Sequence, residues 1–343
     1  MFLENALITK MRAIYGKSLK SDDLNQLIKK KSVSEVATYL KAHEFYKEAF
    51  EGISDQSINR KRLEEIIKKH HFTQTLKLMR YTAKKNKSFY EINIIEKEHQ
   101  IILSMLRSYI SDDEYDVVND LPIFFDKYSK LDLFEISKTK NINELVESLK
   151  NTDYSDLLKP YVNIKNDDIK FNQFEMLLEQ RFYEYASRKI KKHFKGKLES
   201  KLKDIINTRV VLNNIVKIYR LKKFYNASDD DIKAILVNKY NPITEKKLNA
   251  LLLVESPEEL LKAFQKNRYN TYLNNNDKQY IENQMDTISF SLAKKTLLYE
   301  KNAPLVYLAF LTIMDVELDN LIHIIEGIRY GVSENEIKEI IIT

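Results

Sequence analysis

Leu24-Asn-Gln-Leu27, then Ser32-Val-Ser-Glu35-Val36, then Leu40 and Phe45 form a pattern that returns twice along the chain. The second copy reads Leu133-Phe-Glu-Ile136, Asn141-Ile-Asn-Glu144-Leu145, Leu149 and Tyr154. The third reads Leu248-Asn-Ala-Leu251, Ser256-Pro-Glu-Glu259-Leu260, Phe264 and Tyr269. Each position keeps its spacing without a gap. Ser32, Asn141 and Ser256 are good helix N-caps, and Glu35, Glu144 and Glu259 stand three residues later, where a carboxylate can return to the N-cap amide as a capping box. Pro257 falls at the first helical position, where its missing N–H costs nothing. Val36, Leu40 and their equivalents then make one apolar stripe. Each copy therefore opens with a helix, a capped restart and a second short helix. The copies begin roughly 110 residues apart, too far for a solenoid repeat, so each is expected to be a small unit of its own.

Outward from that pattern, each copy runs into two longer helical stretches. Phe171, Phe174, Leu178, Phe182 and Tyr185 trace the first at helical spacing. Leu63, Ile66 and Ile67 begin its counterpart in copy one, and Tyr280 and Ile281 in copy three. The second is seen in Leu318, Leu321, Ile322, Ile325 and Ile328, matched by Leu212, Ile215 and Tyr219 and by Ile101, Ile102, Met105, Leu106 and Tyr109. The ends of copies two and three agree as well. Asn226-Ala-Ser228-Asp-Asp-Asp231-Ile232 parallels Gly331-Val-Ser333-Glu-Asn-Glu336-Ile337. Asn and Gly accept the left-handed conformation that closes a helix, and the serines cap the next one. Copy one departs at Ser111-Asp-Asp-Glu114, which has no such Asn or Gly before its serine. The expected organisation is all-α, with repeats over 1–115, 116–228 and 229–343.

Composition points the same way. Only 5 Gly and 5 Pro occur in 343 residues, too few for the many tight turns of a β-sandwich or an α/β fold. There is no Cys, which removes thiol catalysis, disulfides and zinc-thiolate sites and suits a reducing cytoplasm. No signal peptide is expected at the N-terminus. The longest apolar run, Pro304 to Met314, is well short of the ~20 residues a bilayer span needs and reads as a buried helix. Net charge is +6, from 56 basic and 50 acidic residues, a mild excess that favours acidic partners without the concentrated footprint of a DNA binder.

Motifs with chemical content are few. Tyr15-Gly16-Lys17-Ser18 ends like a phosphate loop, but Met11 stands where the first glycine belongs and no strand precedes it. Without a glycine-rich cradle the backbone amides cannot wrap phosphates. Glu96-Lys-Glu-His99 has the Glu-x-x-His spacing of a di-iron bundle, which needs a second such motif and two more carboxylates. No other histidine has a Glu three residues before it, so the pair is expected to be exposed on a helix. His70 and His71 are adjacent and do not share a helix face. No catalytic residue, cofactor or metal ligand is expected.

The repeat and the C-terminus resemble the C subunit of bacterial and archaeal V-type ATPases, the equivalent of the d subunit of the eukaryotic pump. Ala6 to Leu19, Asp23-Leu24 and the segment from Ser32 to Leu40 carry the resemblance in copy one. Ser256-Pro-Glu-Glu259-Leu260 carries it in copy three. At the end, Asn320-Leu321 and Gly327-Ile-Arg-Tyr-Gly331-Val-Ser-Glu-Asn-Glu336-Ile337 resemble the family's closing pattern, from which Asn335 departs. The resemblance implies a funnel of three similar helical bundles around a pseudo-threefold axis. It implies a peripheral place on the cytoplasmic face of the membrane, over the rotor ring, with the foot of the central stalk in the funnel. It implies torque transfer for H⁺ or Na⁺ transport, with ATP hydrolysed elsewhere in the machine.

The densest basic stretch is Ser187 to Lys197, continued by Lys201 and Lys203. Lys189, Lys191, Lys192, Lys195 and Lys197 are the candidate partner-binding residues, and Gly196 marks a turn between two helices. The alternative to a rotor component is a helical nucleic-acid-binding or scaffold protein that uses this Lys189–Lys203 face. The repeat favours the rotor component, because it runs through the whole chain whereas a nucleic-acid site needs only one basic face; no nucleic-acid partner is expected. With the phosphate loop broken at Met11, the purified chain should bind no nucleotide and hydrolyse no ATP. Turnover that survives purification and disappears in Lys17→Ala would show otherwise.

Overall fold

The computed structural model describes residues 2–53, 58–111, 125–163, 165, 171–240, 243–254, 259 and 280–343. Among these there is no β-strand. Copy one contains α1 (Phe2–Lys17), α2 (Ser21–Ile28), α3 (Val33–Ala42), α4 (Arg60–Leu78), the single turn α5 (Lys87–Tyr90) and α6 (Ile92–Ser111). Copy two contains α7 (Leu133–Ser137), α8 (Ile142–Ser148), α9 (Asp153–Leu158), α10 (Phe171–His193) and α11 (Gly196–Tyr225). Then follow α12 (Asp229–Ile235), α13 (Glu245–Leu252), α14 (Ile281–Tyr299), α15 (Ala303–Arg329) and α16 (Glu334–Ile340).

The repeated signals do the work the sequence assigns them, with one adjustment. Ser32 and Asn141 each accept a hydrogen bond from the amide three residues on, at 3.2 and 3.0 Å. Glu35 and Glu144 then reach one residue further back than a capping box requires, to the amides of Lys31 (3.0 Å) and Lys140 (2.8 Å). The carboxylate still satisfies an orphan donor beside a helix start and still opposes the helix dipole. Ser333 and Glu336 form the full reciprocal box. Asn226 closes α11 at φ 48° and Gly331 follows α15 at φ 67°, both left-handed. The third capping motif, at Ser256, lies outside the described residues apart from Glu259.

Burial explains why α15 forms despite its β-branched residues. From Ala303 to Leu311 every residue is buried, and tertiary contact outweighs intrinsic propensity for such a helix. The chain segment that resembles a phosphate loop is the last turn of α1, where Lys17 bridges to Glu44 at 2.5 Å.

Packing between copies is staggered. The short helices α7–α9 bury their apolar faces on α6 and the start of α10. In turn α12 and α13 pack on the second half of α11 and the start of α14. The short helices of copy one close on the far end of the chain, where α2 and α3 pack on α15, and α2 also on α16. Each set of short helices thus rests on the last long helix of another copy.

Buried polar groups hold these joints in register. On α11, Asn214 donates to the Val237 carbonyl (2.9 Å) and accepts from its amide (3.1 Å). On α15, Asn320 does the same with Ile342, at 2.7 and 2.8 Å. On α6 a carboxylate serves instead: Glu98 accepts from the Lys130 amide, the Ser129 hydroxyl and the Tyr154 hydroxyl at 2.7–2.9 Å. A primary amide presents one donor and one acceptor to an extended segment, so it fixes that segment's position and not only its burial. Asn320→Leu and Asn214→Leu should each cost about 1–3 kcal/mol in urea unfolding, because each strands a buried amide and carbonyl. Losses within experimental error would mean that apolar packing alone sets the register.

Candidate functional site

Two regions stand out, one anticipated and one not. The anticipated region is the lysine cluster. Lys191, Lys192, Lys195 and Lys197 are exposed around the tight turn between α10 and α11, and Gly196 takes φ 61° there. Lys189 behaves differently from the other four. It is half-buried, its ammonium lies 4.8 Å from the Tyr185 ring centre, and burial lowers its pKa from the usual lysine value.

The Glu96–His99 pair is not the exposed helical pair that its sequence suggests. His99 is buried against Tyr154 and Phe182, and burial holds its imidazole neutral, with a pKa lowered to about 3. Glu96 turns the other way and pairs with Arg209 of α11. Helical geometry places Glu96 and His99 near each other, but the tertiary fold draws them to separate environments. His70 and His71 are likewise buried beside Phe45 and Tyr46. Among the described residues no trio of His, Asp and Glu is grouped to hold a metal ion.

The unanticipated region is a cavity of about 500 Å³ walled by α6, α10, α11, α14 and α15. All three copies contribute to it. Glu96, Asp204, Asp286, Asp315 and Asp319 line it, against the single guanidinium of Arg209. That guanidinium lies 5.1 Å from the centre of the Phe182 ring. Asp315 and Asp319 are exposed to solvent on the cavity wall. The surrounding helices limit their solvation and raise both pKa values from the usual aspartate value, and the neighbouring Glu96 adds to the rise at Asp315. Sequence does carry a trace of this wall: Asp315 and Asp319 are one helical turn apart on the most apolar helix of the chain, where burial by packing alone would exclude charge.

Between them, Glu317 points to the opposite side of α15 into a joint between copies. It accepts from the Tyr46 hydroxyl at 2.6 Å, and that hydroxyl also meets His71 Nε2 at 2.7 Å. Burial pushes the Glu317 carboxyl up to about 7, restrained by Tyr46, Ser18, the Leu19 amide and Lys20. His71 is held neutral by the same burial. A smaller recess of about 110 Å³, bordered by Lys20, Lys294 and Glu317, lies beside this contact.

The fold and these two regions define an all-helical protein, with a polar cavity walled by its long helices and a basic surface at one turn. A family model for the ATP synthase (C/AC39) subunit matches residues 7–340, and the chain belongs to that family. It is a structural subunit of the ATPase complex. No curated protein matches the chain. Among the described residues no helix is long and apolar enough to cross a membrane.

The Glu317 contact sets a pH dependence. The folded protein holds the Glu317 proton to about pH 7, whereas the unfolded chain releases it near the ordinary 4.5. The raised pKa belongs to the folded state, so its contribution is full below 4.5 and is lost as pH rises towards 7. Glu317→Gln keeps an acceptor for Tyr46 and removes the titration. Between about pH 5 and about pH 8 the unmodified chain should therefore lose about 2–3 kcal/mol relative to Glu317→Gln. Parallel urea-stability profiles for the two proteins would refute the assignment.

Proposed function

We propose that this chain is the non-catalytic socket of a rotary ATPase, joining the central stalk of the soluble ATPase head to the ring of membrane subunits and passing torque between them. The observation that carries the proposal is the cavity shared by all three copies, in a chain whose family is the ATP synthase C/AC39 subunit. We infer that the three repeats, over 1–115, 116–228 and 229–343, stand around a common axis that runs through this cavity. The staggered packing supports this arrangement, because copy two rests on copy one, copy three on copy two, and copy one on copy three.

A torque-bearing socket needs stiff walls and a gripping surface. The walls are long helices; α11 alone has 30 residues and is about 45 Å long. Backbone hinges are scarce, with 5 glycines in the whole chain. The gripping surface is polar, since its carboxylates can meet cationic side chains on a stalk tip. Such contacts orient and speed docking as well as adding affinity. The partners in this proposal are the central-stalk subunits and the membrane rotor ring. The chain would lie peripherally on the cytoplasmic face, with no cofactor of its own and no nucleic acid bound.

Asp315→Lys with Asp319→Lys tests the socket. Both side chains reach water, so helicity and melting temperature should be preserved. Association with purified central-stalk subunits should weaken at least ten-fold at low salt, the equivalent of about 1.4 kcal/mol, and the difference should shrink as salt is added. ATP hydrolysis by a reconstituted complex should then proceed without ion transport. Unchanged stalk binding by a correctly folded double variant would remove the cavity from the coupling path.

A further inference from the structure

The lysine cluster between α10 and α11 is only one part of a larger basic surface. His193 Nε2 meets the Ser88 hydroxyl at 2.8 Å, Tyr185 donates to the Ser88 carbonyl at 2.9 Å, and the Phe89 and Phe194 rings pack edge to face. These contacts hold the turn between α4 and α6 against the turn between α10 and α11. Lys87 is next to Ser88 and Lys192 next to His193, so the two lysines flank the joint. Lys84 and Lys85 precede it, and all four are exposed. The third long-helix turn joins the same end of the molecule. Glu300 pairs with Lys201 of α11 at 2.7 Å, and Tyr307 donates to the Tyr90 carbonyl at 2.7 Å. Exposed Lys301 follows Glu300 directly.

The charge at this end is not balanced locally. Of the carboxylates here, Glu199 is taken by Lys203 at 2.5 Å and Glu300 by Lys201, while Glu91 acts on Lys189 and Glu4 lies near Tyr90, so the lysines still outnumber the acids. Lys84, Lys85, Lys87, Lys191, Lys192 and Lys197 remain directed to solvent around the joined turns. Beside them Leu298 and Tyr299 are 43% and 77% exposed. Lysines are compact point charges suited to diffuse attraction, whereas phosphate or base recognition in a groove favours the planar fork of arginine. A tyrosine and an aliphatic side chain beside lysines match the composition of segments that settle at a headgroup layer. The basic groups also come from three separate turns, so together they cover an end of the molecule and do not line a cleft.

We propose that this end of the molecule docks on an anionic phospholipid surface, with the lysines of three turns over the phosphates and Tyr299 and Leu298 at the headgroup level. The proposal rests on the membrane-adjacent placement argued under the proposed function and adds an orientation to it: the joined turns face the bilayer. Electrostatic docking of this kind is reversible and depends on ionic strength, because the attraction falls off within a Debye length.

Co-sedimentation of the full chain with vesicles tests it. The chain should bind vesicles containing phosphatidylglycerol, leave pure phosphatidylcholine vesicles unbound, and release from the former as salt is raised. Neutralising one lysine of this face should weaken partition about five-fold, the equivalent of about 1 kcal/mol. The sets Lys191→Gln, Lys192→Gln, Lys197→Gln and Lys84→Gln, Lys85→Gln, Lys87→Gln should each reduce it about a hundred-fold with helicity unchanged. Lys246→Gln with Lys247→Gln is the control. Those exposed residues are on α13, which Lys222 ties to the opposite end of α11 through the Leu252 carbonyl, and their loss should leave partition unaltered. Absence of binding to phosphatidylglycerol vesicles at low salt overturns the proposal, as does equal loss in the control. Tighter capture of duplex DNA than of the vesicles, through the same lysines, also overturns it and would mark a nucleic-acid surface. The isolated chain is used throughout, so failure here with stalk binding intact rejects the orientation alone, and failure of stalk binding rejects the socket.

Discussion

The structure depends on the way each copy's short helices are carried by a long helix of another copy. A short amphipathic helix of five to ten residues is unstable in water by itself, because the cost of nucleation exceeds what so few hydrogen bonds return. Here α7, α8 and α9 acquire their stability from the apolar face of α6, and α2 and α3 from α15. The polar contacts at these joints repeat in kind. Tyr154 donates to Glu98 on α6, and Tyr46 donates to Glu317 on α15. Glu98 and Glu317 are almost fully buried, so removing a tyrosine hydroxyl would leave a carboxyl with an unmet hydrogen bond in a poorly solvated place.

Such staggered packing has a mechanical consequence. Load placed on one long helix passes into the short helices of the next copy and from there into that copy's own long pair. The described parts of α6, α11 and α15 pack directly against the helices resting on them. The cavity between these long helices is therefore bounded by elements that support one another, which is the property a socket needs. The neighbouring helices limit the solvation of the wall carboxylates Asp315 and Asp319 and raise their pKa values.

Much of this could be read from the sequence, and the rest depended on tertiary placement. The caps at Ser32, Asn141, Ser228 and Ser333 are local chemistry, as are the left-handed residues Asn226 and Gly331, so short patterns disclosed them. The reach of Glu35 and Glu144 to the preceding residue is a matter of side-chain length and was not legible. The split of Glu96 and His99 between a cavity and a core depends on which helices flank α6, a fact stored some hundred residues away in α10 and α11. Lys189 illustrates the same limit: Lys191 and Lys192 just after it are exposed, yet Tyr185, one helical turn earlier, draws its ammonium inward. The acidic cavity was partly visible in Asp315 and Asp319, but the remaining carboxylates come from separate segments. The basic end was visible as one run, while its continuation through Lys84, Lys85 and Lys87 appears only once Ser88 and His193 are seen together.

The central claim is that the cavity holds the stalk. The chain has no cysteine, so a single cysteine introduced at Asp319 can carry a photoreactive maleimide without competing labels. Irradiation of the assembled complex in native membranes, followed by identification of the attached chain, tests the claim directly. The account predicts a covalent product with a component of the central stalk that is lost when the ATPase head is stripped from the membrane. A product with a component of the ring that persists after stripping would contradict it.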